Sequence, residues 1–222
     1  TIADIYEQGQ RIGQITLPLP GLHNLSNAIA AFAACRLEGL SFQELALGIS
    51  TLKAPQRRFD VKGFWEGRQI VDDYAHHPSE IQATIEIARL IIKKRNSPAK
   101  QQLKRILVAF QPHRYSRTKE FLNAFALTLS KADCVVLAPV YAAGEQPIKG
   151  INSQAIAEKI KNLNPSTQIH VAKHLDEVVA MVKKHSLKDD LVLSMGAGDI
   201  NSLWRRLTEK TLPRQWLSKM AA

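Results

Sequence analysis

The sequence predicts an α/β protein whose main sheet is largely parallel. Two observations carry this. Short apolar runs alternate with amphipathic stretches of helical length over most of the chain, and such stretches are long enough to be crossover helices between parallel strands. The polar segments rich in titratable groups each follow an apolar run and precede a helical one. That is the carboxyl-edge turn where open α/β sheets hold ligands.

Residues 1–20 read as antiparallel strands, because Tyr6 to Arg11 turns at Gly9 and Ile12 to Leu19 alternates toward Pro18 and Pro20. Residues 24–38 are rich in alanine and read as a helix with Ile29, Phe32, Ala33 and Leu37 at helical spacing, ended by Gly39. A second short helix follows Ser41 and uses Leu45 and Ile49. The polar run Lys53 to Asp60 places a domain boundary near residues 58–64, dividing residues 1–61 from residues 62–222.

Beyond the boundary, strands are expected at Ile70–Asp72, Ile106–Phe110, Cys134–Ala138, Ile169–Ala172 and Leu191–Met195. Helices are expected between them. Ile81, Ile85, Ala88 and Ile92 share a face in 79–95, with Ser79 to Gln82 fitting a capping box. Leu122, Phe125 and Leu129 do so in 116–130, and Ile156, Ile160 and Leu163 in 152–163. In 174–185 the face is Leu175, Val178, Val179 and Val182, with Asp176 and Glu177 early and Lys183 and Lys184 late, as the helix dipole prefers. Ile200, Leu203, Trp204 and Leu207 complete the pattern in 199–209, and no internal repeat is visible.

Composition narrows the class. The chain has 222 residues, 45% hydrophobic and 23% charged, an ordinary globular balance. No stretch has the ~20 apolar residues needed to span a bilayer, and the first residues do not form a signal peptide. Cys35 and Cys134 both read as buried thiols, which favours a reducing cytoplasm over a disulfide-stapled fold. The net charge is +10, but the basic run Lys93, Lys94, Arg95, Lys100, Lys104 and Arg105 has no interleaved aromatic residues and reads as a solvated loop, not a nucleic-acid groove. The chain opens on Thr1, so it is expected to be a piece of something longer.

Four segments carry chemistry. Asp72-Asp73-Tyr74-Ala75-His76-His77-Pro78 sets two carboxylates, a phenol and two imidazoles after a strand. No metal-ligand spacing supports an ion there, and one Asp polarising one His, or contacting a nucleotide, is the expectation. Gln111-Pro112-His113-Arg114-Tyr115-Ser116-Arg117-Thr118 puts arginines at a helix start, against the dipole, which makes sense if an anion occupies the turn. Pro139 to Gly150 is a long loop of the kind used for binding, in which Glu145 either meets a cation or has no role. Gly196-Ala197-Gly198 is either a close approach to a ligand or a tight structural turn. A fifth segment, Gly21 to Ala28, carries His23, Asn24 and Asn27. Its two amides share a helix side and can read an adenine edge, or Asn24 or Ser26 simply caps the helix.

Taken in this order, the segments resemble the Mur ligase family over essentially the whole chain. Pro20-Gly21-x-His23-Asn24-x-x-Asn27-Ala28 resembles the adenine-contacting signature of the family's central domain, Arg57-Arg58-Phe59 its end, and Asp72 to Pro78 the opening of the carboxy-terminal domain. The resemblance implies a Rossmann-like, mostly parallel carboxy-terminal domain preceded by the tail of an ATP-binding α/β central domain. Residues 111–118, 139–150 and the Gly-Ala-Gly turn most resemble the branch that joins L-alanine to UDP-N-acetylmuramate.

That branch implies an ATP-dependent ligation through an acyl phosphate, in cytoplasmic peptidoglycan precursor synthesis. The substrates would be ATP, L-alanine and UDP-N-acetylmuramate. His23, Asn24, Asn27, Arg57, Arg58 and Asp73 would contact the nucleotide. Tyr74 and His77 would line the cleft. His113, Arg114 and Arg117 would place the amino-acid carboxylate and developing phosphate charge. No Gly-Lys-Ser or Gly-Lys-Thr phosphate loop occurs in the chain, so the principal Mg2+ ligands are expected upstream, together with a UDP-sugar domain covalently joined. The alternatives are a murein tripeptide ligase, or a non-catalytic module that binds a nucleotide or anion. A nucleic-acid binder is supported only by net charge.

Overall fold

The computed structural model describes residues 1–53, 55–93 and 102–209. The chain opens with an antiparallel hairpin, β1 (Ile2–Glu7) and β2 (Gln10–Thr16), turning at Gln8-Gly9. Helices α1 (Leu22–Leu37) and α2 (Phe42–Ser50) close over it. Ile5, Ile15, Leu17, Ala28, Phe32, Leu45 and Ile49 form this first core. Gly13 is needed here, since a Cβ would stand 2.2 Å from the Phe42 ring that packs on the hairpin. Ser41 and Glu44 cap α2 reciprocally.

A six-stranded sheet follows, in the order β3-β4-β8-β5-β6-β7. Its strands are β3 (Asp60–Trp65), β4 (Arg68–Asp73), β5 (Arg105–Phe110), β6 (Cys134–Leu137), β7 (Gln168–Val171) and β8 (Asp190–Met195). Only β3 runs antiparallel. The fold is therefore the mixed α/β class with a mostly parallel sheet that the alternating pattern predicts. Central strands are apolar on both faces, and β8 is buried at every position, because helices cover both sides. Helices α3 (Pro78–Lys93), α5 (Leu122–Leu129) and α6 (Ser153–Leu163) contribute to one core, centred on Phe110 and Phe125. Helices α7 (Leu175–His185) and α8 (Leu203–Thr208) contribute to the other, with Trp65, Val136 and Val192.

Several local expectations need correction. Strand β3 has no counterpart among the expected strands, because its residues, Asp-Val-Lys-Gly-Phe-Trp, do not alternate cleanly: Val61 and Phe64 are exposed and Lys62 and Gly63 half-buried. The 61/62 division falls inside it. On α1 the buried residues are Asn24, Ala28 and Phe32, whereas Ile29, Ala33 and Leu37 face outward. The helix expected over 116–130 is broken at Phe121 into α4 (Tyr115–Glu120) and α5. The last helix begins with a 3₁₀ turn, Asp199–Ser202.

Leu163 is exposed, and Cys35 is half-buried while Cys134 is fully buried. Arg105 is not in a solvated loop. It grips buried Asp190 through Nε at 3.0 Å and Nη2 at 2.8 Å. Lys104 pairs with Asp189, and Lys94, Arg95 and Lys100 of the basic run lie outside the described residues.

Candidate functional site

Strands β4, β8, β5 and β6 are parallel neighbours, so their following turns emerge on one edge. Backbone hydrogen bonds tie these ends together: Gly196 N to the Asp73 carbonyl, Gln111 N to Met195, and Ala138 N to Phe110. Beside this edge, between α1 and the start of α3, lies a cavity of about 540 Å³. His23, Asn27, Arg57, Arg58, Asp73 and Tyr74 line it, with Gln56, Glu80 and Thr84 beyond the expected set.

The expected residues divide by what they touch. Asp73 accepts backbone N–H groups on both oxygens, from Ala75 at 2.8 Å and Phe59 at 2.8 Å. Burial raises its pKa, opposed by those two hydrogen bonds, the Thr84 hydroxyl and His23. Arg58 is exposed and forms no side-chain hydrogen bond or ion pair with the described residues. Asn24 is buried, and its Nδ2 donates to the Pro20 carbonyl at 2.7 Å, so it does not line the cavity. It does not cap α1 either, whose first residue follows Gly21 without a side-chain cap.

His77 serves the helix. It precedes Pro78, and its carbonyl accepts the Ile81 N–H at 3.0 Å. Its Nδ1 lies 3.3 Å from the Ser79 N–H and its ring meets Phe121 edge-on. The capping box expected from Ser79 and Gln82 is instead closed by Glu80, whose carboxylate accepts the N–H groups of His76 and His77 at 3.0 Å each. Those contacts, led by the His76 side chain, pull Glu80 down to about 2.

The second cluster is the turn after β5. Arg114 adopts a left-handed backbone with φ of 69°, and its N–H donates to the Tyr141 carbonyl at 2.8 Å. His113 stacks on the Tyr141 ring at 5.5 Å, and its Nδ1 is buried without a hydrogen-bond partner. Burial, then His76, Arg117 and Arg114, lower the His113 pKa, so its ring is neutral near pH 7. A carboxylate of the chain itself already sits at this helix start. Glu145 accepts from Ser116 N at 2.9 Å and Ser116 Oγ at 2.6 Å. The Gly-Ala-Gly turn is likewise structural: a Cβ at Gly198 would lie 2.3 Å from Gln111 Oε1 and 2.8 Å from the Tyr141 ring.

A chain of rings connects the two clusters. The Arg57 guanidinium lies 4.8 Å from the Tyr74 centroid, Tyr74 5.1 Å from His76, and His76 6.0 Å from His113. His76 and Tyr141 are thus bridging residues that the sequence did not single out, and their signal was only their place in polar turns. Asp72 polarises no histidine; its partner is Arg57, at 3.4 Å. Among the described residues no group of three His, Cys, Asp or Glu side chains is arranged for a metal ion. None of the described helices is long and apolar enough to cross a membrane.

The Mur ligase, glutamate ligase domain matches residues 57–198. A UDP-N-acetylmuramate–L-alanine ligase of Synechococcus sp. (strain CC9311) is 58% identical, covering 95% of this chain and 44% of the relative. One of Prochlorococcus marinus (strain MIT 9313) is 61% identical over 94% of the chain and 43% of the relative. The chain therefore spans less than half the length of the curated relatives it matches. The crystal structure of a UDP-N-acetylmuramate-alanine ligase from Thermotoga maritima superposes with a TM-score of 0.71 at 26% identity, covering 98% of this chain and 43% of that one. A murein peptide ligase from Psychrobacter arcticus shares the fold, with a TM-score of 0.65, 22% identity, and coverage of 88% and 38%.

Proposed function

Because the chain belongs to the Mur ligase family, we propose that the whole protein is an ATP-dependent ligase joining L-alanine to UDP-N-acetylmuramate in peptidoglycan precursor synthesis, with this chain supplying the tail of the central domain and the carboxy-terminal domain. The relatives at 58% and 61% identity carry that activity in their names. The observation that carries the reading is the ring-lined edge joining a cavity walled by His23, Asn27, Arg57 and Arg58 to the His113–Arg117 turn.

In the proposed chemistry, a carboxylate takes the γ-phosphoryl group of ATP and ADP leaves; the L-alanine amine then attacks the acyl phosphate, forming the amide as phosphate departs and the nitrogen loses a proton. Such a reaction needs positioning and charge stabilisation more than covalent help from the protein. The cavity volume suits a small-molecule site. Arg58, exposed and unpaired among the described residues, is the free cation for a nucleotide's phosphates. Asn27 and His23 line the cavity from α1. Arg114 and Arg117 offer planar forks for the amino-acid carboxylate, beside a neutral His113 that adds no third positive charge.

The test uses the full-length protein. Arg117→Ala is expected to lose turnover while ATP affinity changes little; an unaltered kcat at saturating L-alanine would remove that role. Offering L-alanine and murein tripeptide side by side distinguishes the two branches, and preference for the tripeptide would overturn the choice made here.

A further inference from the structure

One ion pair beside the cavity is built at evident cost. Asp72 lies on β4 and is 2% exposed. Its Oδ2 stands 3.4 Å from Arg57 Nε, and both Arg57 Nε and Asp72 Oδ1 are buried without a hydrogen-bond partner. Arg57 also holds a left-handed backbone, with φ of 61°. An apolar pair of similar size would serve stability at least as well as a half-satisfied buried ion pair, and non-glycine residues carry such backbone strain mostly where function requires it.

The pair's other contacts indicate what it does. Arg57 Nη2 donates to the Gly196 carbonyl, and the guanidinium lies over the Tyr74 ring at 4.8 Å. The Arg57 carbonyl accepts the Tyr74 N–H at 2.7 Å, and its N–H donates to Asp60 Oδ2 at 3.3 Å. One arginine thus joins the segment that lines the cavity, Gln56 to Arg58, to the ends of β4 and β8. We propose that Asp72 and Arg57 are a positioning pair, in which the buried carboxylate holds the Arg57 guanidinium against Tyr74 and Gly196 and so sets the pose of Arg58 for the phosphates of a nucleotide. This rests on the nucleotide reading of the cavity given above. Asp72 touches no ligand in this scheme; it acts through Arg57.

The charges facing Asp72 are Arg57 and Lys62, which favour its ionised form, and Asp60 and Asp73, which oppose it; burial is the largest influence and raises the group to about 6. Protonation there would release Arg57. The pair therefore has a pH signature that a merely structural role lacks.

The experiment is steady-state kinetics on the full-length protein. Asp72→Asn is expected to raise the KM for ATP about tenfold while kcat at saturation stays within about twofold. The wild-type kcat/KM for ATP should fall as pH drops through about 6, and the limb due to Asp72 should be missing in the variant. An unchanged KM in folded Asp72→Asn overturns the proposal. If that variant does not fold, the double change Arg57→Met with Asp72→Leu removes both charges, and an unchanged KM there overturns it equally. Arg58→Ala separates the two ideas. If it leaves the KM for ATP unaltered, the nucleotide reading of the cavity falls. If it raises KM and Asp72→Asn does not, only the positioning pair falls.

Discussion

Replacing Gly198 by Ala tests how tightly the carboxyl edge is packed. Gly198 has φ of −88°, outside the left-handed region that favours glycine, and the effect argued here is one of space. The added Cβ would lie 2.3 Å from Gln111 Oε1 and 2.8 Å from Tyr141 Cγ. Carbon and oxygen in contact normally stand about 3.3 Å apart, so Gln111 must retreat by about 1 Å. That amide is buried and fully used: Nε2 donates to Asp199 Oδ1 at 2.7 Å, and Oε1 accepts the Ile200 N–H at 3.1 Å. Overpacking costs about 1–3 kcal/mol, and a buried N–H left without its acceptor about 1–3 kcal/mol more. The expected loss is therefore about 2–6 kcal/mol, or roughly 4–24 °C in Tm for a domain of this size.

Thermal and urea unfolding followed by circular dichroism measure that loss, with Gly48→Ala as the matched control. Gly48 lies inside α2 with open space around it, and the same substitution there should stabilise by about 0.5–1 kcal/mol. Adding Gln111→Ala to Gly198→Ala should relieve the clash, so the two changes together cost less than their sum. A Gly198→Ala protein within about 0.5 kcal/mol of its parent would refute the packing argument.

Three further outcomes follow from other contacts. Arg105→Met strands Asp190, which is 1% exposed, and should cost about 3–5 kcal/mol in urea unfolding; adding Asp190→Leu should recover most of it. Glu80→Ala removes the acceptor for two N–H groups at the start of α3 and should cost about 1 kcal/mol, seen also as faster hydrogen exchange in the first turn of α3. His170 and His185 stack at 3.6 Å, and burial lowers both pKa values. The unfolded chain therefore takes up protons first as pH falls, so stability should decline as pH drops through the ordinary histidine range and on toward the folded values. His170→Phe should flatten that decline, and an unchanged slope would remove the pair as its cause.

The candidate site was only partly legible in the sequence. Asp73 and Tyr74 stand out because titratable groups crowd one turn, Arg57 and Arg58 only through the family resemblance, and the cavity gathers all four. The bridging role of His76 and Tyr141 is not in the sequence, since it depends on which turn faces each ring across the edge. Glu145 reaches Ser116 across 29 positions of chain, a pairing no local pattern encodes. The resemblance sets Asn24 beside adenine, but its amide donates to the Pro20 carbonyl.

By itself, the order of residues determined the layered α/β plan. Strands apolar on both faces over most of their length, such as β5, β6 and β8, need two helical layers, and the helix periods from α3 to α8 supply them. Antiparallel β3 and the break at Phe121 were decided by tertiary structure. So was the use of each polar side chain, because hydrogen-bond partners are chosen by three-dimensional proximity, while the chain's own pattern reports only which face a residue is on.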